Sequence, residues 1–128
     1  MKARKYMRHT SKKTAALKRQ TNPLRAAYLK EKFTCEACCK RQASEVHEIV
    51  RGANRHKAIQ YRACWLALCQ PCHELLGDYS IWPPARQVAL KLISDPEHFD
   101  IEKIRECRGD NRVNWESVAL YLEMKVTE

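Results

Sequence analysis

The sequence has no run of about 18 consecutive apolar residues, so no segment of it is long enough to read as a membrane-spanning helix. Its N-terminus lacks the apolar stretch of a secretory signal. It holds no internal repeat, and no low-complexity tract beyond a basic start. These absences argue against repeat architectures and membrane spans, and they predict a soluble, intracellular chain. Acidic side chains are nearly missing from the first quarter. Residues 1–32 carry eleven Lys and Arg against one acid, Glu31, whereas the other 96 carry thirteen basic and fourteen acidic groups. The formal charge of +9 is therefore concentrated at one end, and the body is close to neutral. A detached basic arm is what binding to a polyanion requires, because each Lys or Arg that neutralises a phosphate releases condensed counterions. A solvated tail and an organellar transit peptide are the rival readings of the same composition.

At 128 residues the chain is one domain with appendages rather than two domains. Its seven cysteines are an odd number, and four of them form two close pairs, Cys35-x-x-Cys38 and Cys69-x-x-Cys72. Thirty residues separate the pairs. That pattern fits a closed tetrahedral thiolate site for zinc in a reducing compartment better than a disulfide framework. Cys39 directly follows Cys38 and leaves the register open by one residue. Cys64 and Cys107 have no partner at ligand spacing and read as core residues.

Along the chain, little apolar periodicity is visible before Asn22, and Asn22-Pro23 marks the expected boundary between arm and folded chain. A short helix with proline at its first position is predicted from Pro23 to Phe33. Residues 44–50 alternate enough to suggest a strand, and residues 64–68 a second one. Between them residues 51–62 read as a basic loop or broken helix. Pro71 opens a helix that Gly77 stops. Further helices are expected over residues 85–93, ended by Asp95-Pro96, over residues 99–107, and from Trp115 to about Lys125 with Asn114 as N-cap.

The span between the cysteine pairs holds Glu45-Val46-His47-Glu48-Ile49-Val50, and the second pair is followed at once by His73. Over residues 33–77 the chain resembles the HNH endonuclease family, whose ββα-metal fold is often supported by a zinc held by two CxxC pairs. The resemblance implies that His47 and His73 hold one catalytic divalent cation, Mg²⁺, Mn²⁺, Ni²⁺ or Zn²⁺. It places the general base, a histidine in the family, at Glu48. The family's middle asparagine falls at Cys64, and a further ligand found one helical turn after His73 falls at Gly77, which cannot ligate. A carboxylate at position 48 is ionised at neutral pH, yet its reference pKa lies about two units below that of histidine. Glu48 has a second reading as a ligand in the metal shell, with proton acceptance passing to His47 or to a metal-bound hydroxide.

Arg51, Arg55, His56, Lys57 and Arg62 crowd one stretch beside these residues with no acid among them. They are the candidate phosphate contacts. Trp65 and Trp82 read as core. The expectation is therefore a small α+β zinc domain of the HNH-like ββα-metal kind at residues 33–80. A basic arm with a lead-in helix (residues 1–32) precedes it, and a helical extension (residues 81–128) follows. The expected activity is metal-dependent hydrolysis of DNA phosphodiesters, with RNA also open as substrate and a cytoplasmic or nucleoid-associated location. The extension is a candidate docking surface for a protein partner. The alternatives are a weakened or inactive module that only binds nucleic acid, and a structural or regulatory zinc-ribbon-like protein.

Overall fold

A computed structural model of the chain describes residues 12–50 and 58–127. Much of the basic first quarter is helical. Helix α1 spans Lys12–Glu31 and runs straight through Pro23. This corrects the expected boundary at Asn22-Pro23. An interior proline loses one N–H bond and crowds the carbonyl four residues back, at a cost of about 3 kcal/mol. Tertiary contacts offset it: Thr21 and Tyr28 are buried, and Arg25 reaches across to the first strand. Thr21 Oγ1 also donates to the Leu17 carbonyl at 3.0 Å, within the turns ahead of the proline.

After α1 the chain makes a tight turn closed by the Thr34–Gln42 bridge and by Cys35 N–H donating to Arg41 O at 2.8 Å. Cys39 takes φ 58°, a left-handed value that reverses the backbone immediately after Cys38. Strand β1, Glu45–Glu48, then pairs antiparallel with β2, Trp65–Leu68. The register sets Glu45 opposite Leu68 and His47 opposite Leu66, with Val46 opposite Ala67 and Glu48 opposite Trp65. Ser44 N–H to Leu68 O and Ile49 N–H to Cys64 O extend the ladder at both ends. A 3₁₀ turn, Arg62–Cys64, feeds β2, and helix α2, Gln70–Leu76, leaves it with Cys69 as N-cap and a proline in the first turn.

Because strand side chains alternate, the two-stranded sheet has two different faces. Glu45, His47, Leu66 and Leu68 share one, and α2 packs there, His73 lying against His47. Val46, Glu48, Trp65 and Ala67 share the other. That face meets α1: the Tyr28 and Trp65 rings are 5.7 Å apart, and Arg25 donates to Glu48.

Helices α3 (Pro84–Ser94), α4 (Ile101–Arg108) and α5 (Trp115–Thr127) follow. Their ends obey local chemistry. Asp95 stands between α3 and the Pro96–His98 turn, Asp100 accepts from Lys103 N–H at 3.0 Å, and Gly109 closes α4 at φ 77°. Asn114 Oδ1 accepts from Ser117 N–H at 2.9 Å, as an N-cap should. Among the described residues there are thus five α-helices and one two-stranded sheet. One apolar cluster joins Tyr28, Leu66, Leu68 and Leu76 to Val88, Leu90, Ile104 and Val118, so the strand-strand-helix unit and the C-terminal helices share a core. No helix among the described residues is long and apolar enough to cross a membrane.

Candidate metal centres

The first centre lies where the two cysteine pairs meet. Cys35 and Cys38 sit on the turn before β1, and Cys69 and Cys72 on the junction of β2 with α2. Their sulfurs lie within 4.8 Å of one another, and Cys38 and Cys69 are 3.9 Å apart. A zinc ion with tetrahedral bonds of about 2.3 Å needs sulfur separations of about 3.8 Å, so the donors fit that ion in number, chemistry and spacing. Cys39 is exposed and turned out of the cluster, which removes the ambiguity of register.

Electrostatics prepares these sulfurs unequally. Backbone N–H groups of Lys40 and Arg41 hold the Cys38 thiol down to about 6. Burial opposes ionisation of Cys69, yet N–H donation from Cys72 and the other neighbours brings it below its ordinary value. Cys72 is pushed up by burial and by the surrounding sulfurs. Arg41 places its guanidinium against Cys69, where it offsets part of the negative charge that four thiolates bring to one divalent ion. Among the described residues this is the only group of three or more such side chains so closely gathered.

The second centre is a pair. His47, on β1, and His73, the fourth residue of α2, bring their rings edge to face with centroids 5.1 Å apart. His47 is buried, and its Nε2 lies 2.7 Å from Gln87 Oε1. His73 Nδ1 is buried with no hydrogen-bond partner among the described residues, an unmet donor or acceptor of the sort that a bound ion satisfies. The two histidines, 26 residues apart in sequence, are thus neighbours in space.

Glu48 is not brought to this pair. It points from the opposite face of β1, is buried, and accepts from Arg25 Nη1 at 2.9 Å, while Arg25 Nη2 donates to the Val46 carbonyl. The carboxylate that shares the histidines' face is Glu45, whose Oε2 is buried without a hydrogen-bond partner among the described residues. Strand alternation alone separates positions 45 and 48, and applying it to the motif would have singled out Glu45.

Arg62 is engaged within the fold. It donates to Glu31 and to Asp95, with Nε 3.2 Å from Asp95 Oδ2, and its guanidinium stacks 4.6 Å from the Tyr28 ring centre. Arg51, Arg55, His56 and Lys57 lie outside the described residues. Cys64 and Cys107 are buried, and burial together with the nearby Cys107 pushes the Cys64 thiol well above its ordinary value. Trp65 is buried and Trp82 packs against the core. Gln87, a polar residue of α3 that no sequence motif singles out, is fully buried against His47. No protein-family model matches the chain, and no curated protein and no solved structure is significantly similar to it.

Proposed function

We propose that the chain is a metal-dependent endonuclease of the HNH type, acting on DNA. The observation that carries this reading is the meeting of His47 and His73 on a strand-strand-helix unit whose ends are gathered by four cysteines. Two imidazoles suit a divalent cation that keeps further positions for water and substrate. Bound there, the ion would supply charge stabilisation to the leaving oxygen of a phosphodiester. His47 and His73 would hold and orient it. Glu45, on their face of the sheet, is the carboxylate assigned to accept a proton from the attacking water. Glu48 acts through the strand, by pinning β1 to α1 through Arg25. Helix α1 supplies the polyanion contact, since besides Arg25, which is bonded to Glu48, it carries Lys12, Lys18, Arg19 and Lys30 against the single acid Glu31.

Supercoiled plasmid incubated with the zinc-loaded protein is expected to be nicked or linearised with at least one of Mg²⁺, Mn²⁺, Ni²⁺ and Zn²⁺. His73→Ala should slow that cleavage at least about a hundredfold. A second reading, binding without catalysis, is favoured by one specific observation, the commitment of Glu48 to Arg25. It takes the first reading's place if DNA is bound and left intact with all four cations.

Two glutamine substitutions separate the carboxylates. Glu45→Gln is expected to lose cleavage rate while keeping the unfolding midpoint in urea. Glu48→Gln should keep the rate and lose about 2 kcal/mol of stability, the cost of weakening a charged hydrogen bond out of water. The opposite assignment of these two effects returns proton acceptance to Glu48.

A further inference from the structure

Gln87 occupies an unusual place for an amide. It lies on α3, outside the strand-strand-helix unit, and none of its surface reaches solvent. Its Nε2 donates to two backbone carbonyls, Leu76 O at 2.7 Å and Trp82 O at 2.9 Å. An amide nitrogen has two protons and a carbonyl can only accept, so both protons are used and the amide cannot be turned round. Oε1 must then face His47, whose Nε2 lies 2.7 Å away. An amide oxygen carries no proton, so His47 Nε2 is the donor in that bond. Neutral His47 is accordingly protonated on Nε2, and Nδ1 bears the ring's lone pair.

We infer that Gln87 is a positioning residue for the His47–His73 centre: it fixes His47 as the Nε2–H tautomer and so makes Nδ1 the atom offered to a divalent cation. The inference about the cation rests on the function proposed above, whereas the tautomer stands on the hydrogen bonds alone. Three features support the role. A histidine that ligates through one ring nitrogen is oriented by donating from the other, and such partners are worth about tenfold to a hundredfold in metal affinity. The Leu76 carbonyl belongs to the last residue of α2, the helix that carries His73. Gln87 therefore ties the strand bearing one histidine to the helix bearing the other. His73 presents its own Nδ1 buried and without a hydrogen-bond partner among the described residues, beside the His47 ring. The C-terminal helices thereby become part of the centre instead of an appendage to it.

The test is long-range ¹H–¹⁵N NMR of the histidine rings in the full-length, zinc-loaded protein, followed by titration with Ni²⁺. In the wild type His47 is expected to show the Nε2–H pattern, and Ni²⁺ should broaden the His47 and His73 signals together. Gln87→Met, which keeps the size of the side chain and removes its hydrogen bonds, should shift His47 toward a mixture of tautomers and weaken Ni²⁺ binding at these two rings about tenfold to a hundredfold. A wild-type His47 protonated on Nδ1 alone overturns the inference and leaves the nuclease reading standing. So does Ni²⁺ binding as tight in Gln87→Met as in the wild type. Ni²⁺ that touches neither ring of the wild type overturns the metal role of Gln87, and the nuclease reading is decided separately by the cleavage assay with the four cations. The wild-type measurements decide the matter even if Gln87→Met does not fold.

Discussion

Cys69→Ser is expected to abolish cooperative folding of the chain, and a strong chelator should do the same to the wild type. Cys35 and Cys38 lie before β1, and Cys69 and Cys72 lie at the junction of β2 and α2, so one ion held by all four would tie the two ends of the hairpin together. Only four residue pairs bind the strands to each other, which is little for a sheet with no third strand. Structural zinc in small peptides is worth about 10–16 kcal/mol, as much as the whole stability of an ordinary domain at about 5–15 kcal/mol. Metal analysis should give one zinc per chain in the wild type. Circular dichroism of Cys69→Ser should lose its sigmoidal thermal transition, while Cys39→Ser, altered at an exposed sulfur, should match the wild type. A metal-free wild type that melts cooperatively at the same temperature would exclude a structural ion.

The parts of this fold that are legible in the sequence are those set by local chemistry. Proline and glycine bracket α2, Asn114 caps α5, and the CxxC spacing brings out the four sulfurs, because each of these signals acts within a few residues. Helix α1 is hidden for a physical reason. It is strongly polar and contains Pro23, and what carries it through is burial of Tyr28 and the reach of Arg25, both of which depend on a sheet formed later in the chain. The adjacency of His47 and His73 follows from the hairpin register, and so does the separation of Glu48 from them. Gln87 leaves no mark in the sequence pattern, since its partners lie five, eleven and forty residues away. Arg62 misleads for the same reason. A basic residue in a basic stretch reads as a phosphate contact, and only the packing of α1 and α3 shows its two carboxylate partners.

Asp95→Asn is expected to cost about 3–5 kcal/mol, the range found when one partner of a buried ion pair is removed and the other stays. The carboxylate is 3% exposed and faces four cationic or titratable groups: Lys91 Nζ at 2.8 Å, His98 Nδ1 at 3.0 Å, Arg62 Nε at 3.2 Å and Lys32 Nζ at 3.4 Å. These come from the end of α1, the 3₁₀ turn before β2, α3 itself and the turn after it, so Asp95 joins elements that are far apart in sequence. Lys91 is entirely buried, and among the described residues its ammonium reaches, besides Asp95, only Tyr28, whose hydroxyl lies 3.2 Å away and donates in turn to Glu36. Asparagine keeps the shape of the site but leaves that ammonium without its counterion. Burial alone would push the Asp95 carboxyl up; the bonds from Lys91, Arg62 and His98 outweigh it and hold the group well below the usual carboxylate range. Its folded pKa is thus lower than the unfolded one of about 3.9, so its contribution is complete above that pH and is lost as the pH falls further toward the depressed folded value. Asp95→Asn should lack this acid-side loss. On the basic side, burial already lowers the Lys91 pKa, and without Asp95 it falls further. The unfolded chain then binds more protons than the folded one, and the variant should recover stability as the pH rises toward about 10. Lys91→Met should cost less than Asp95→Asn, because the carboxylate keeps Arg62, Lys32 and His98. Urea unfolding of both variants from pH 3 to pH 10 checks all three statements, and an Asp95→Asn profile that runs parallel to the wild type within about 1 kcal/mol would show that the charge of Asp95 does not hold these elements together.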